Sequence, residues 1–254
     1  MRLEITAIPG LPDIEPGDDL SRLLGDVLEA HGGLEAGDVL AIAHKVVSKA
    51  EGNVIDLANV APSPKARELA TELAKNPAKV EVVLAQSTRV VRAWKRPEQD
   101  EGTIIAEHKL GFISANAAVD ESNVGEGTVI TLPDDPDASA RRIGNALEDR
   151  FGVEIGVVIT DTFGRPWRVG QVNVAIGLHR VPATTSDIGG VDAWGRALRV
   201  TEPALSDEIA AASGLVVAKA AKTPVVRLRG LHWPRKDKTS ARDILRAQTE
   251  DVFR

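Results

Sequence analysis

The chain predicts a mixed α+β fold rather than a doubly wound parallel sheet. Three observations carry that expectation. Apolar β-branched runs and helix-period patterns follow one another without a regular strand–helix–strand rhythm. Neither Gly-x-x-x-x-Gly-Lys-Ser/Thr nor Gly-x-Gly-x-x-Gly occurs, so no P-loop or Rossmann core is expected. No repeat, low-complexity tract or linker divides the 254 residues, which are read as one domain spanning 1–254.

In chain order, Leu3 to Ile8 alternates as a strand, and the turn-rich Pro9-Gly10-Leu11-Pro12-Asp13-Ile14 comes after it. Asp18 and Asp19 open a helix with Leu20, Leu23, Leu24, Val27 and Leu28 at helical spacing. Val39 to Ala43 is a buried strand that runs directly into the basic segment His44 to Gly52. Ser63 caps a helix from Pro64 to Lys75, and a short helix covers Ala78 to Gln86. Thr88 to Trp94 is a strand, 95–102 a charged hairpin tip, and Thr103 to Ala106 and Gly111 to Ser114 are strand pieces. An acidic, amide-rich loop spans Asn116 to Asn123. Pro133 to Pro136 is a turn, and Asp137 to Arg150 is an amphipathic helix. Gly156 to Ile159 is an apolar strand that ends in Thr160-Asp161-Thr162, with Gly164 turning the chain away. Gln171 to Leu178 and Val200-Thr201 are strands around a Gly-rich loop. Ser206 caps a helix reaching Lys222, Val225 to Leu228 is the last strand, and Ser240 to Val252 is helical.

Composition narrows the chemistry. A formal charge of −6 argues against a general nucleic-acid binder, and 3% aromatic residues with no tyrosine leave no base-stacking platform. The absence of cysteine excludes disulfides, thiolate metal sites and a cysteine nucleophile. The N-terminus has no signal-peptide core, and no apolar run approaches the roughly 20 residues of a membrane span, so a cytoplasmic location is expected. The five histidines show no metal spacing, and no Gly-x-Ser-x-Gly elbow exists.

Three places could carry function. Asp161 sits between two threonines at a strand exit, where it either satisfies turn amides or holds a hard cation. Asp120 occupies a second acidic loop, and Asn123 either bonds a base or ribose or caps its turn. Lys45 and Lys49 lie four apart after a buried strand, so on a helix they share a face suited to phosphates; the plain alternative is a solvated basic face. With Thr162 these residues suggest metal-assisted handling of a phosphorylated ligand, without choosing between phosphoryl transfer, hydrolysis and ligation.

Several segments together resemble the coenzyme F420-0:L-glutamate ligases (F420:gamma-glutamyl ligases). They are Gly10-Leu11-Pro12, 17–20, 46–52, 119–124, Leu132-Pro133 with 135–140, Val158-Ile159-Thr160-Asp161-Thr162 with Gly164-Arg165, 207–212 and 226–230. The actinobacterial members look most similar, and no C-terminal flavin-binding domain is expected here. The resemblance implies a mixed α/β fold of two interlocked subdomains in an intertwined homodimer. It implies GTP-dependent amide formation between L-glutamate and the F420-0 carboxylate through an acyl phosphate, followed by γ-linked glutamate addition. It implies Mg2+ or Mn2+, with K+ as a candidate further cation. Residue by residue, it makes Asp120, Asp161 and Thr162 metal ligands, and Asp120, Asp161 and Lys49 catalytic. Leu11, Pro12, Asp13, Ile14, His44, Lys45, Lys49, Asn123 and Lys219 fall on GTP-contacting positions, as does the segment Val217 to Pro224. Three departures stand out. His44 and Lys45 replace small hydroxyl residues of archaeal relatives, Lys219 replaces a glutamate that binds a second metal, and 218–222 is poor in glycine. One cation between Asp120 and Asp161 is therefore expected, with the Lys219 ammonium standing for the second. A related ligase acting on another carboxylate, or a non-catalytic nucleotide-binding homologue, is the alternative.

Overall fold

The computed structural model describes residues 2–217 and 221–251, so Lys219 lies outside the described residues. In chain order the elements are β1 (Glu4–Ile8), α1 (Leu20–Ala30), β2 (Val39–Ala43), α2 (His44–Ala50), β3 (Val54–Asp56), α3 (Pro64–Leu73), α4 (Pro77–Ala85) and β4 (Ser87–Trp94). The chain continues through β5 (Thr103–His108), β6 (Ile113–Ala115), β7 (Thr128–Ile130), α5 (Pro136–Phe151), β8 (Gly156–Arg165), β9 (Arg168–His179), α6 (Leu205–Ser213) and β10 (Val225–Arg229). Three helices start with the same local grammar. Ser63, Asn76 and Asp135 each accept a backbone N–H of the first turn, and each is followed by a proline that needs no donor there.

The main sheet has the order β1-β10-β2-β8-β9. Only β2 and β8 run parallel, with Ala43 beside Thr160; the other pairs are antiparallel. This is a mixed α+β fold. Gly156 to Thr160 are buried without interruption. Successive strand residues face opposite ways, so both faces of the sheet are covered there. Helix α5 packs on β8 and β9, α1 packs on α5, and α6 packs on β9, β8 and the other strands of the sheet. Gly177 on β9 is required by that packing, because a Cβ would lie 2.4 Å from the Pro136 carbonyl oxygen. A second apolar core lies under the antiparallel sheet β4-β5-β6 and is filled from α3, α4 and the β3–β7 pair.

Four expectations are corrected. Strand β8 does not end at Asp161, and Gly164 does not turn the chain: β8 continues to Arg165 and pairs with β9 as far as Arg168. Threonine and phenylalanine favour the extended chain, and the paired strand offsets the glycine. Val200 and Thr201 lie outside any strand. Helix α6 stops at Ser213, and its N-cap is Ala204, because the Ser206 hydroxyl is buried and donates to the Ala183 carbonyl at 3.1 Å. The tail forms only short 3-10 turns, at Ala241–Ile244 and Gln248–Glu250. Its start is tied down by Asp137, which accepts from Ser240 Oγ at 2.6 Å and from the Ala241 N–H at 3.1 Å.

Candidate active site at two parallel strand exits

Strands β2 and β8 end side by side, but their exits are built differently. At Ala43 the chain turns directly into α2, whose first two residues are His44 and Lys45. Beside them β8 presents Asp161. His44 is 1% exposed, and its Nε2 lies 3.3 Å from Asp161 Oδ1, off the line of a hydrogen bond. Its Nδ1 lies 3.2 Å from Ser48 Oγ, one turn along α2. Asp161 Oδ1 also accepts the Thr162 N–H at 2.7 Å. His44 therefore contacts Asp161 from within the protein and has almost no surface for a nucleotide.

Lys45 reaches the other aspartate. Its Nζ donates to Asp120 Oδ2 at 2.5 Å and also to Ser122 Oγ. The Ser122 N–H and hydroxyl donate to the two Asp120 oxygens, each at 2.8 Å. Partial burial raises the Asp120 pKa, but the Lys45 ammonium and the Ser122 donors outweigh it and hold the carboxyl at about 2. Adjacent residues of one helical turn thus contact two carboxylates that lie 41 positions apart in sequence. The ammonium of Lys49, the next lysine on that face of α2, has no hydrogen-bond or ion-pair partner among the described residues.

The Asp120 loop is bolted from both sides. Asp120 forms an isolated bridge with Ile130. The adjacent Glu121 pairs with Lys79, a lysine buried on α4 in the second core that also lies 3.5 Å from Glu101. Sequence reasoning missed Lys79; a lone lysine in the apolar stretch 77–85 was the signal. It also missed His108, the buried last residue of β5. His108 Nδ1 accepts the Leu110 N–H at 3.0 Å. Burial lowers its pKa to about 4, helped by Lys109 and opposed by Asp161. Asp207 is a third. It accepts the Ala175 N–H at 2.9 Å, beside the irregularity where β8–β9 pairing jumps from Ile159–Gly177 to Thr160–Ala175. A bulge there re-aims the residues beyond it, Asp161 included. Burial raises the Asp207 pKa, and that single backbone donor offsets it only in part.

Other expected residues are less closely assembled. The Thr162 hydroxyl donates to Asn173 Oδ1 at 2.9 Å, and Asn173 Nδ2 donates to Ser213 Oγ at 3.3 Å. Leu11 is half-buried and Ile14 buried, whereas Pro12 and Asp13 are exposed; Lys222 Nζ lies 3.4 Å from Asp13. Asn123 is exposed at φ 62°, a left-handed position that asparagine tolerates. Among the described residues no three histidine, aspartate or glutamate side chains gather as a metal-binding group. The donor chemistry still suits a hard divalent cation: two carboxylates and a hydroxyl leave positions for water and phosphate oxygens, as Mg2+ prefers.

Comparison with known proteins shows the family. The F420-0:Gamma-glutamyl ligase family model matches residues 10–230. The chain is 45% identical over 260 residues to the coenzyme F420:L-glutamate ligase of Methanopyrus kandleri, covering 99% of this chain and 98% of that one. It is 38% identical over 257 residues to the enzyme of the same name from Methanothermobacter thermautotrophicus, covering 100% of both. It is 33% identical over 255 residues to that of Methanosarcina mazei, covering 100% of this chain and 96% of the other. The chain belongs to the F420-0:gamma-glutamyl ligase family.

Proposed function

We infer that this chain joins L-glutamate to the carboxylate of F420-0 through an amide, consuming GTP and then adding glutamate by γ-linkage. The observation that carries the reading is the first turn of α2, where His44 meets Asp161 and Lys45 meets Asp120 at the end of two buried parallel strands. The names of the relatives supply the substrates. A carboxylate is a poor electrophile, so its oxygen first attacks the γ-phosphorus of GTP, and GDP leaves. The glutamate amine then attacks the acyl carbon, loses a proton, and phosphate departs with the oxygen that came from the acid. Asp120, Asp161 and Thr162 are the residues that would hold Mg2+ or Mn2+. A bound divalent cation offsets charge on the transferring phosphoryl group. Lys45 and Lys49 add positive charge on the same helical face, with Lys49 open to a phosphate. The segment from Leu11 to Ile14 and Asn123 are proposed to line the nucleotide.

We also propose a homodimer. The β8–β9 hairpin tip and the Gly-rich loop after it expose large apolar side chains, among them Trp167, Val169, Trp194 and Val200, each more than four-fifths exposed. A surface of this kind favours a partner of like character. Light scattering tests the assembly. For the chemistry, purified protein with GTP, Mg2+ or Mn2+, L-glutamate and F420-0 yields GDP, phosphate and a product heavier by one glutamyl unit. No product across metals and nucleotides contradicts the ligase reading, and product with only a different acid changes the acceptor.

A further inference from the structure

A cavity of about 270 Å3 opens beside the N-terminus of α5, lined by Asp134, Asp137, Arg141, Arg242, Phe112 and Ile176 among others. Its size falls just below the range of roughly 300–1,000 Å3 typical of ligand pockets, which suits an amino acid better than a nucleotide or a deazaflavin. Its charges divide into committed and free. Asp137 is saturated by the Leu178 N–H, the Ala241 N–H and the Ser240 hydroxyl. Asp135 is committed to capping α5. The Arg141 and Arg242 guanidiniums and the Asp134 carboxylate have no hydrogen-bond or ion-pair partner among the described residues. The free set is two cations and one anion, the mirror of glutamate's two carboxylates and one ammonium. A second cavity, about 370 Å3 beside α1, lacks this pattern because its Arg142 is already paired with Glu51.

The cavity also adjoins the strand exits. Ile176 in its wall lies two residues along β9 from Val174, the partner of Asp161, a separation of about 7 Å. Phe112 in the same wall packs edge-on against Phe163, two residues past Asp161, with ring centroids 6.1 Å apart. We propose that this cavity is the L-glutamate subsite, with Arg141 and Arg242 taking the carboxylates and Asp134 orienting the amino group. The assignment rests on the ligase reading for its ligand and on the cavity alone for its place.

The test combines calorimetry of L-glutamate binding with steady-state kinetics on the intact protein and on R141Q, R242Q and D134N, all at exposed positions. Each arginine variant is expected to weaken L-glutamate binding and raise its KM by about tenfold or more, with the KM for GTP unchanged and the thermal midpoint retained. L-Glutamine, which lacks one carboxylate, is expected to bind as weakly to the intact protein as L-glutamate does to the weaker variant. Turnover with an unchanged KM for L-glutamate in both arginine variants overturns the subsite and leaves the ligase reading standing. Binding that depends on both arginines without turnover on any acceptor keeps the subsite and removes the ligase reading. No binding of L-glutamate to the intact protein, with or without GTP, overturns the subsite.

Discussion

The two strand exits that meet at the site are built in opposite ways. The β2 exit turns at once into α2, so its cationic and imidazole side chains are fixed by a helix against the core. The β8 exit stays extended for five more residues past Thr160, so Asp161 sits on a strand, Phe163 packs back against Phe112, and only the tip beyond it runs out into solvent. The rigid exit supplies the groups that hold; the extended exit supplies the carboxylate that is held and then exposed apolar side chains. The contrast shows how a buried parallel pair can set an imidazole against a carboxylate while the neighbouring lysine pairs with a second one.

Perturbing each exit tests this division. The largest effect is expected at Asp161: Asp161→Ala lowers ligase turnover on the order of a thousandfold, with little loss of stability. A drop of less than about tenfold would move the chemistry away from the β8 exit. Next comes pH. His108 is neutral when folded, with its pKa lowered to about 4 from 6.5. The unfolded chain therefore binds the extra proton first, and stability is full above pH 6.5 and falls as pH drops through 6.5 toward 4. The loss reaches at most roughly 3 kcal/mol, and His108→Gln flattens the curve in chemical denaturation. Lys45→Met at the rigid exit costs about 1 kcal/mol of stability, because the Asp120 side chain is 43% exposed and water screens the pair. The same variant raises the Asp120 pKa toward the ordinary carboxylate range, readable by NMR titration. The smallest effect on stability is expected on the arm: Val169→Ser and Val200→Ser change folding stability by no more than about 0.5 kcal/mol. They nevertheless shift light-scattering mass toward the monomer.

Local features were legible in the sequence. The span of β2, the helix start at Asp18–Asp19, the Ser63 cap and the shared face of Lys45 and Lys49 come from short-range pattern, and the structure reproduces them. The continuation of β8 was hidden because pairing with β9 decides it, not the glycine at 164. The early end of α6 and the irregular tail depend on distant partners, Ala183 for Ser206 and Asp137 for 240–241. The candidate site was half legible. Asp120, Asp161 and Lys49 could be named from chemistry at strand exits and from resemblance. The burial of His44, the Lys45–Asp120 pair across 75 positions and the Lys79 bolt are tertiary facts that no local pattern carries.

The central claim is that an acyl phosphate forms at the meeting of the two exits. Its most direct test is a heavy-oxygen label on the acceptor carboxylate, with mass spectrometry of the inorganic phosphate released alongside the amide. The account predicts one labelled oxygen in each phosphate formed with the first amide by the intact protein, and a matching loss of label and amide in Asp161→Ala. A first amide formed with unlabelled phosphate would contradict it.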